Sequence, residues 1–163
     1  MTSNNNLAPF ARMISVSALA FAGLLSGTAS SATTNVAAVL GRAENPNQAT
    51  CFQSFGGSNV TDVCEDSVMR YYTIAIPTPA VAGSHTYKLT YISTAGSTLL
   101  CKGLYTTATG AVGSTTPMFP PSSSSWSTVT LGTLSLPNNA SATIQCGMQP
   151  VPGKPVALNF ANF

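Results

Sequence analysis

The sequence predicts an all-β protein: an antiparallel β-sandwich, jelly-roll or immunoglobulin-like, of about six to eight strands with two disulfides. Three observations predict it. Short runs of aromatic and β-branched residues alternate with polar ones at a period of two. Clusters of Gly, Pro, Asn and Ser separate those runs. Four cysteines, an even number, stand in a chain that opens with an export signal.

The opening segment sets the compartment. Thr2 to Asn6 is polar, Arg12 carries a positive charge, Met13 to Leu25 is apolar, and Ser26 to Ala32 is built of small residues. This is the order a secretory signal needs, with Ser30 and Ala32 small enough for the signal-peptidase pocket. Cleavage is expected after Ala32, with Ala29 and Ala38 as alternative ends. The apolar run is shorter than the roughly 18 residues that span a bilayer, so it reads as a signal and not as an anchor. Residues 33–48 are expected to be a flexible lead-in, and residues 49–163 a single sandwich domain. The expected location is secreted or periplasmic, with no transmembrane anchor once the signal is removed.

The strands are expected in order. Val68 to Ile76 is rich in Tyr and Ile and ends at Pro77, and Pro77 to Ser84 is a connector. His85 to Ser93 sets Tyr87, Leu89 and Tyr91 against Thr86, Lys88 and Thr90, the pattern of a half-buried strand. Thr98 to Thr106 places Leu99, Cys101, Gly103 and Tyr105 on one face. After a Gly-, Ser- and Pro-rich stretch, Ser127 to Leu136 resumes the pattern with a slip of phase between Leu131 and Leu134. A β-bulge beside Gly132 accounts for that slip. Ala142 to Met148 gives another strand, and Val156 to Phe160 closes the sheet.

Four cysteines allow three pairings, and spacing alone does not choose among them. The strand pattern does. Cys101 and Cys146 each sit on the apolar face of their strand, so a bridge between them needs no change of register. Cys51 and Cys64 then close a loop containing Gly56-Gly57. No Cys-x-x-Cys pair is present, which argues against structural zinc and thioredoxin-like redox chemistry, and no cofactor is implied.

Charge is sparse. After the signal, Arg42, Arg70, Lys88, Lys102 and Lys154 face Glu44, Asp62, Glu65 and Asp66. A nucleic-acid partner needs clustered cations to displace phosphate counterions, and these are scattered. Ser, Thr, Asn and Gln must supply the polar surface.

The order of Cys51, a Gly-rich loop, Cys64, Leu99-Leu100-Cys101-Lys102-Gly103-Leu104, Trp126 ahead of Leu131-Gly132-Thr133-Leu134, and Ile144-Gln145-Cys146 resembles a type of secreted bacterial protein that is itself uncharacterised. The resemblance spans most of the chain after the signal. It implies an exported two-disulfide sandwich and brings no activity, ligand or site residue with it.

Candidate functional residues are few. His85 would be the base of a Ser-His-Asp triad, but no Gly-x-Ser-x-Gly elbow accompanies it, so it reads as a turn residue at a strand start. Asn59, Asp62, Glu65 and Asp66 form an acidic loop that suits calcium in oxygen count, without EF-hand spacing. Glu65 and Asp66, adjacent on a strand, would point to opposite faces and make a poor hydrolytic pair. Trp126 is expected to cap the core, since large aromatics are usually buried. Exposed, and with Tyr71, Tyr72 or Tyr105 beside it, it would instead stack on a sugar ring. Asn59-Val60-Thr61 and Asn139-Ala140-Ser141 match the N-glycosylation pattern. An outer-membrane barrel ending on Phe163 is disfavoured, because the residues in phase with it are Ala161, Asn159 and Ala157. The reading that fits best is an exported, non-enzymatic protein that binds a glycan or another exported protein, or is structural. A carbohydrate-binding module is the alternative, and a secreted hydrolase is a third.

Overall fold

The computed structural model describes residues 34–76 and 82–163. The expected signal and most of the Pro77–Ser84 connector lie outside the described residues. Eleven strands follow in chain order: β1 (Asn35–Ala37), β2 (Arg42–Ala43), β3 (Phe52–Phe55), β4 (Asn59–Asp62), β5 (Arg70–Ala75), β6 (Gly83–Ser93), β7 (Thr98–Thr106), β8 (Val112–Ser114), β9 (Ser123–Leu136), β10 (Ser141–Gln149) and β11 (Val156–Asn162). Two 3-10 turns, Ala38–Leu40 and Pro46–Cys51, join the first strands.

The strands form two antiparallel sheets. The first runs β3-β4-β11-β6-β9, with β1 paired to the end of β11 beyond β4. The second runs β2-β5-β10-β7-β8. The sandwich is thus as the alternation predicts, with more strands than the six to eight expected. The additional ones, β1, β2, β3, β4 and β8, are at most four residues long. They leave too little alternation to be read from sequence. Three of them belong to stretches read as unpatterned: β1 and β2 lie within 33–48, where Val36 and Ala38 are buried, and β8 lies in the Gly- and Ser-rich stretch after β7.

Period-2 alternation builds the core. Tyr87, Leu89 and Tyr91 of β6 and Val156, Leu158 and Ala161 of β11 face Tyr72 and Ile74 of β5, Leu99 and Cys101 of β7, and Ile144, Cys146 and Met148 of β10. Burying each large apolar side chain contributes about 1.5–3 kcal/mol. Cys101 and Cys146 are direct partners across β7 and β10, and their disulfide lies at the centre of this layer. Cys51–Cys64 ties the start of the β3–β4 hairpin to its exit. Tyr87 lies against Gly103, where a methyl group would overlap its ring. Its hydroxyl donates to the Leu104 carbonyl at 2.9 Å, and burial pushes its pKa up to about 12.

The bulge predicted beside Gly132 is present. The β6–β9 register breaks between Tyr87↔Gly132 and Lys88↔Thr130, and Gly132 takes a positive φ of 129°. The extra residue lets Val129 and Leu131 share the inward side with Leu134 and Leu136.

Candidate functional site

A second bulge shapes the outward face of the first sheet. On β11, Leu158 pairs with Tyr91 and Ala161 with Leu89, so Asn159 and Phe160 together oppose Thr90 alone. Bulges re-aim side chains. Here Leu158 and Ala161 both stay in the core, although three positions apart, and Phe160 stands 37 % exposed. The strand on its other side, β1, pairs Ala37 with Phe160 and Asn35 with Asn162.

Asn35, Thr90, Phe160 and Asn162 line a shallow depression of about 210 Å³ at this bulge. None of the four side chains is titratable. The Asn162 Oδ1 is buried and accepts no hydrogen bond. A buried carbonyl-type oxygen without a donor costs about 1–3 kcal/mol, a cost the fold carries next to the exposed ring of Phe160. Polar groups continue across the sheet. Thr90 and Thr128 share a hydrogen bond of 2.9 Å, as do Thr86 and Thr133, both between β6 and β9. Lys88 lies between Asn162 and Thr130 in register.

Trp126, expected in the core, lies on this same face. It is 41 % exposed and two residues before Thr128, a rise of about 7 Å along the strand. Its neighbour Ser127 pairs with buried Tyr91, which turns Trp126 outward. The tyrosines grouped with Trp126 are dispersed. Tyr71 is 42 % exposed, but on the outward side of the second sheet. Tyr72 is buried and donates to the Ala38 carbonyl at 3.1 Å. Tyr105 packs at the core edge, covering Gly113.

Two further depressions lie on the second sheet. Tyr71, Leu100, Cys101, Lys102, Pro117 and Gln145 line one of about 240 Å³. Arg42, Ala43, Glu44, Pro46 and Thr73 line the other, of about 540 Å³. Part of their polar lining is already engaged. The Glu44 carboxylate accepts from Thr73 at 2.7 Å and from the Gln145 amide.

The acidic loop closes on an arginine. Arg70, buried on β5, donates to Asp66, to Asp62 at 3.5 Å, and to the carbonyls of Cys64 and Val68 at 3.0 and 3.2 Å. Arg70 is therefore the cation these two carboxylates surround. Burial raises the Asp62 pKa above the ordinary carboxylate value, against the pull of the Cys64 amide and Arg70. The Arg70 hydrogen bond lowers that of Asp66. Asn59 accepts from the Phe55 amide and Glu65 from the Gly153 amide, so of the four residues named for calcium only Asp62 and Asp66 share a partner, Arg70. Cys51, Cys64 and Asp62 cluster closely, but both sulfurs are committed to the disulfide. His85 stacks on Phe163, ring centres 4.4 Å apart.

No family model matches the chain, and no curated protein does. Solved structures match in fold. The insecticidal crystal protein Cry2Aa aligns over 80 % of this chain and 21 % of its own, at 15 % identity and a TM-score of 0.51. A family two carbohydrate esterase from Cellvibrio japonicus aligns over 80 % and 33 %, at 13 % identity and 0.49. The carbohydrate-binding module CBM6cm-2 of Cellvibrio mixtus lichenase 5A, solved with cellotriose, aligns over 79 % and 94 %, at 15 % identity and 0.44. The chain thus spans a third or less of the first two. At 15 % identity the likeness to Cry2Aa is one of fold alone. Among the described residues no helix is long and apolar enough to cross a membrane.

Proposed function

We propose that this protein is an exported, non-catalytic glycan-binding sandwich, and that it holds an uncharged stretch of oligosaccharide on the outward face of its first sheet. The observation that carries the reading is the exposed ring of Phe160 beside the half-buried amide side chain of Asn162 in one depression. A pyranose ring offers an apolar C–H face to an aromatic side chain and hydroxyl donors at its rim, which is the complement of this pair. The depression is below the roughly 300 Å³ of a pocket that engulfs its ligand, so it fits one unit of a chain lying along the face. Further units then run over Thr90 and Thr128 toward Trp126. The four lining side chains are neutral, and the Thr90 hydroxyl is shared with Thr128, which suits an uncharged ligand. The signal-like opening and the two disulfides support export.

Calorimetric titration against a panel of neutral oligosaccharides tests the reading. At least one ligand is expected to bind, Phe160→Ala to weaken it about tenfold, and Tyr71→Ala to leave it unchanged. Binding that ignores Phe160 and follows Tyr71 overturns it.

A further inference from the structure

The outward face of the second sheet carries a cation that the fold leaves without a carboxylate. Lys102 of β7 is in register with Gln145 of β10, which in turn pairs with Thr73 of β5. Lys102 is half-buried, and among the described residues it enters no ion pair. Lysine is seldom withdrawn from water unless something pairs with it. Glu44, the carboxylate on this face, is taken up by Thr73 and Gln145.

Two residues along the same strands, and so on the same face, Tyr71 and Leu100 both pair with Gly147. Gly147 has no side chain to fill the space between them. The Tyr71 ring and the Met69 thioether lean over it instead. A methyl group there would lie 3.1 Å from Tyr71 Cε1 and 2.7 Å from Met69 Sδ. Pro117 adds a further apolar wall to the depression of about 240 Å³. An exposed aromatic ring thus stands on one strand, and Lys102 stands two strands over, about 10 Å away. Gln145 lies on the strand between them. One of its N–H groups goes to Glu44, and it retains a second N–H and a carbonyl oxygen.

We infer that this depression is a second binding site, for a sugar unit that bears an anionic group, carboxylate or sulfate. Tyr71 takes the apolar face of the ring, Lys102 pairs with the anion, and Gln145 meets the hydroxyls. The volume suits one ring laid against the sheet and not a ligand engulfed by a pocket. Charge sets the site apart from the Phe160 depression on the opposite sheet, whose lining is neutral. A neutral sugar laid here would strip water from the ammonium and supply no counter-charge, which disfavours it. The site rests on its own residues and stands whether or not the first sheet binds a glycan.

Calorimetric titration of the protein as its host processes it, with trigalacturonic acid and with a sulfated oligosaccharide, tests this. At least one is expected to bind. Its neutral counterpart, methyl-esterified or desulfated, should bind at least about tenfold more weakly. Raising the salt from about 0.1 M to about 1 M shortens the screening length from about 10 Å to about 3 Å, so affinity should fall. Tyr71→Ala and Lys102→Gln should each weaken binding about tenfold, with unchanged circular dichroism spectra. Lys102→Arg should keep most of it, and Lys88→Gln, which removes an exposed cation from the first sheet, should leave it unchanged. The neutral-counterpart and salt comparisons use the unaltered protein, so they decide the matter even where a variant fails to fold. No binding of either acid overturns the inference. So does binding that survives loss of the anionic group, ignores salt, or follows Lys88 or Phe160 in place of Lys102 and Tyr71.

Discussion

Asn162 and Phe160 lie two residues apart on β11, and the bulge opposite Thr90 gives the first a buried oxygen without a donor and the second an exposed ring. A buried oxygen left open costs stability, and the fold carries that cost in a depression whose other members are Asn35 and Thr90.

Stability and binding therefore pull apart at Asn162. Replacing it by Ala removes an unsatisfied acceptor, so urea unfolding should show no loss, or a gain of up to about 1 kcal/mol. Glycan affinity, measured on the same variant, should fall about tenfold. A variant that loses stability and keeps affinity would mean that Asn162 is structural.

The two disulfides should differ in weight. Cys101–Cys146 closes 45 residues and Cys51–Cys64 closes 13. Loop-closure entropy makes the first worth about 1 kcal/mol more than the second, within the usual 2–5 kcal/mol for each. The Cys101→Ala/Cys146→Ala pair should accordingly unfold at lower urea than Cys51→Ala/Cys64→Ala.

Arg70 holds the loop that follows β4. Its guanidinium is buried among Asp62, Asp66 and two carbonyls, and its removal strands Asp62 as an unpaired buried charge. Arg70→Met should destabilise the protein by about 3–5 kcal/mol at neutral pH. Adding Asp62→Leu should recover part of that loss, because the stranded charge goes too. Both are read from urea midpoints.

Acid should act on this cluster through two opposed carboxylates. Asp66 titrates below its unfolded value, so its pairing stabilises the fold at neutral pH and is lost as pH drops through the lowered value. Asp62 titrates above its unfolded value. Its protonated form is the one the fold favours, and that contribution is present in acid and lost as pH rises. Unfolding free energy measured from about pH 6 down to about pH 2 should therefore fall less steeply in Asp66→Asn than in the unaltered protein, and more steeply in Asp62→Asn.

Much of the fold was legible because alternation is a direct image of burial. Tyr87, Leu89 and Tyr91 announced β6, the phase slip at Leu131 announced its bulge, and the apolar faces around Cys101 and Cys146 announced their bridge. The site was less legible. Val156, Leu158 and Ala161 carry the same kind of slip, but with Phe160 in the gap the segment reads as a short strand followed by a tail. Trp126 was grouped with tyrosines by residue type, whereas facing is set by register, and register put Tyr71 on the other sheet and Tyr72 in the core. The acidic loop offered oxygen ligands in plenty; only the fold brings Arg70 into their midst.

The most direct test of a glycan face is amide and indole chemical-shift mapping of the isotope-labelled protein during titration with the best ligand of the panel. The account predicts that Thr90, Phe160, Asn162 and the Trp126 indole move together while Tyr71 and Gln145 stay still. Shifts gathered around Tyr71, Leu100 and Gln145, or none with any glycan, would contradict it.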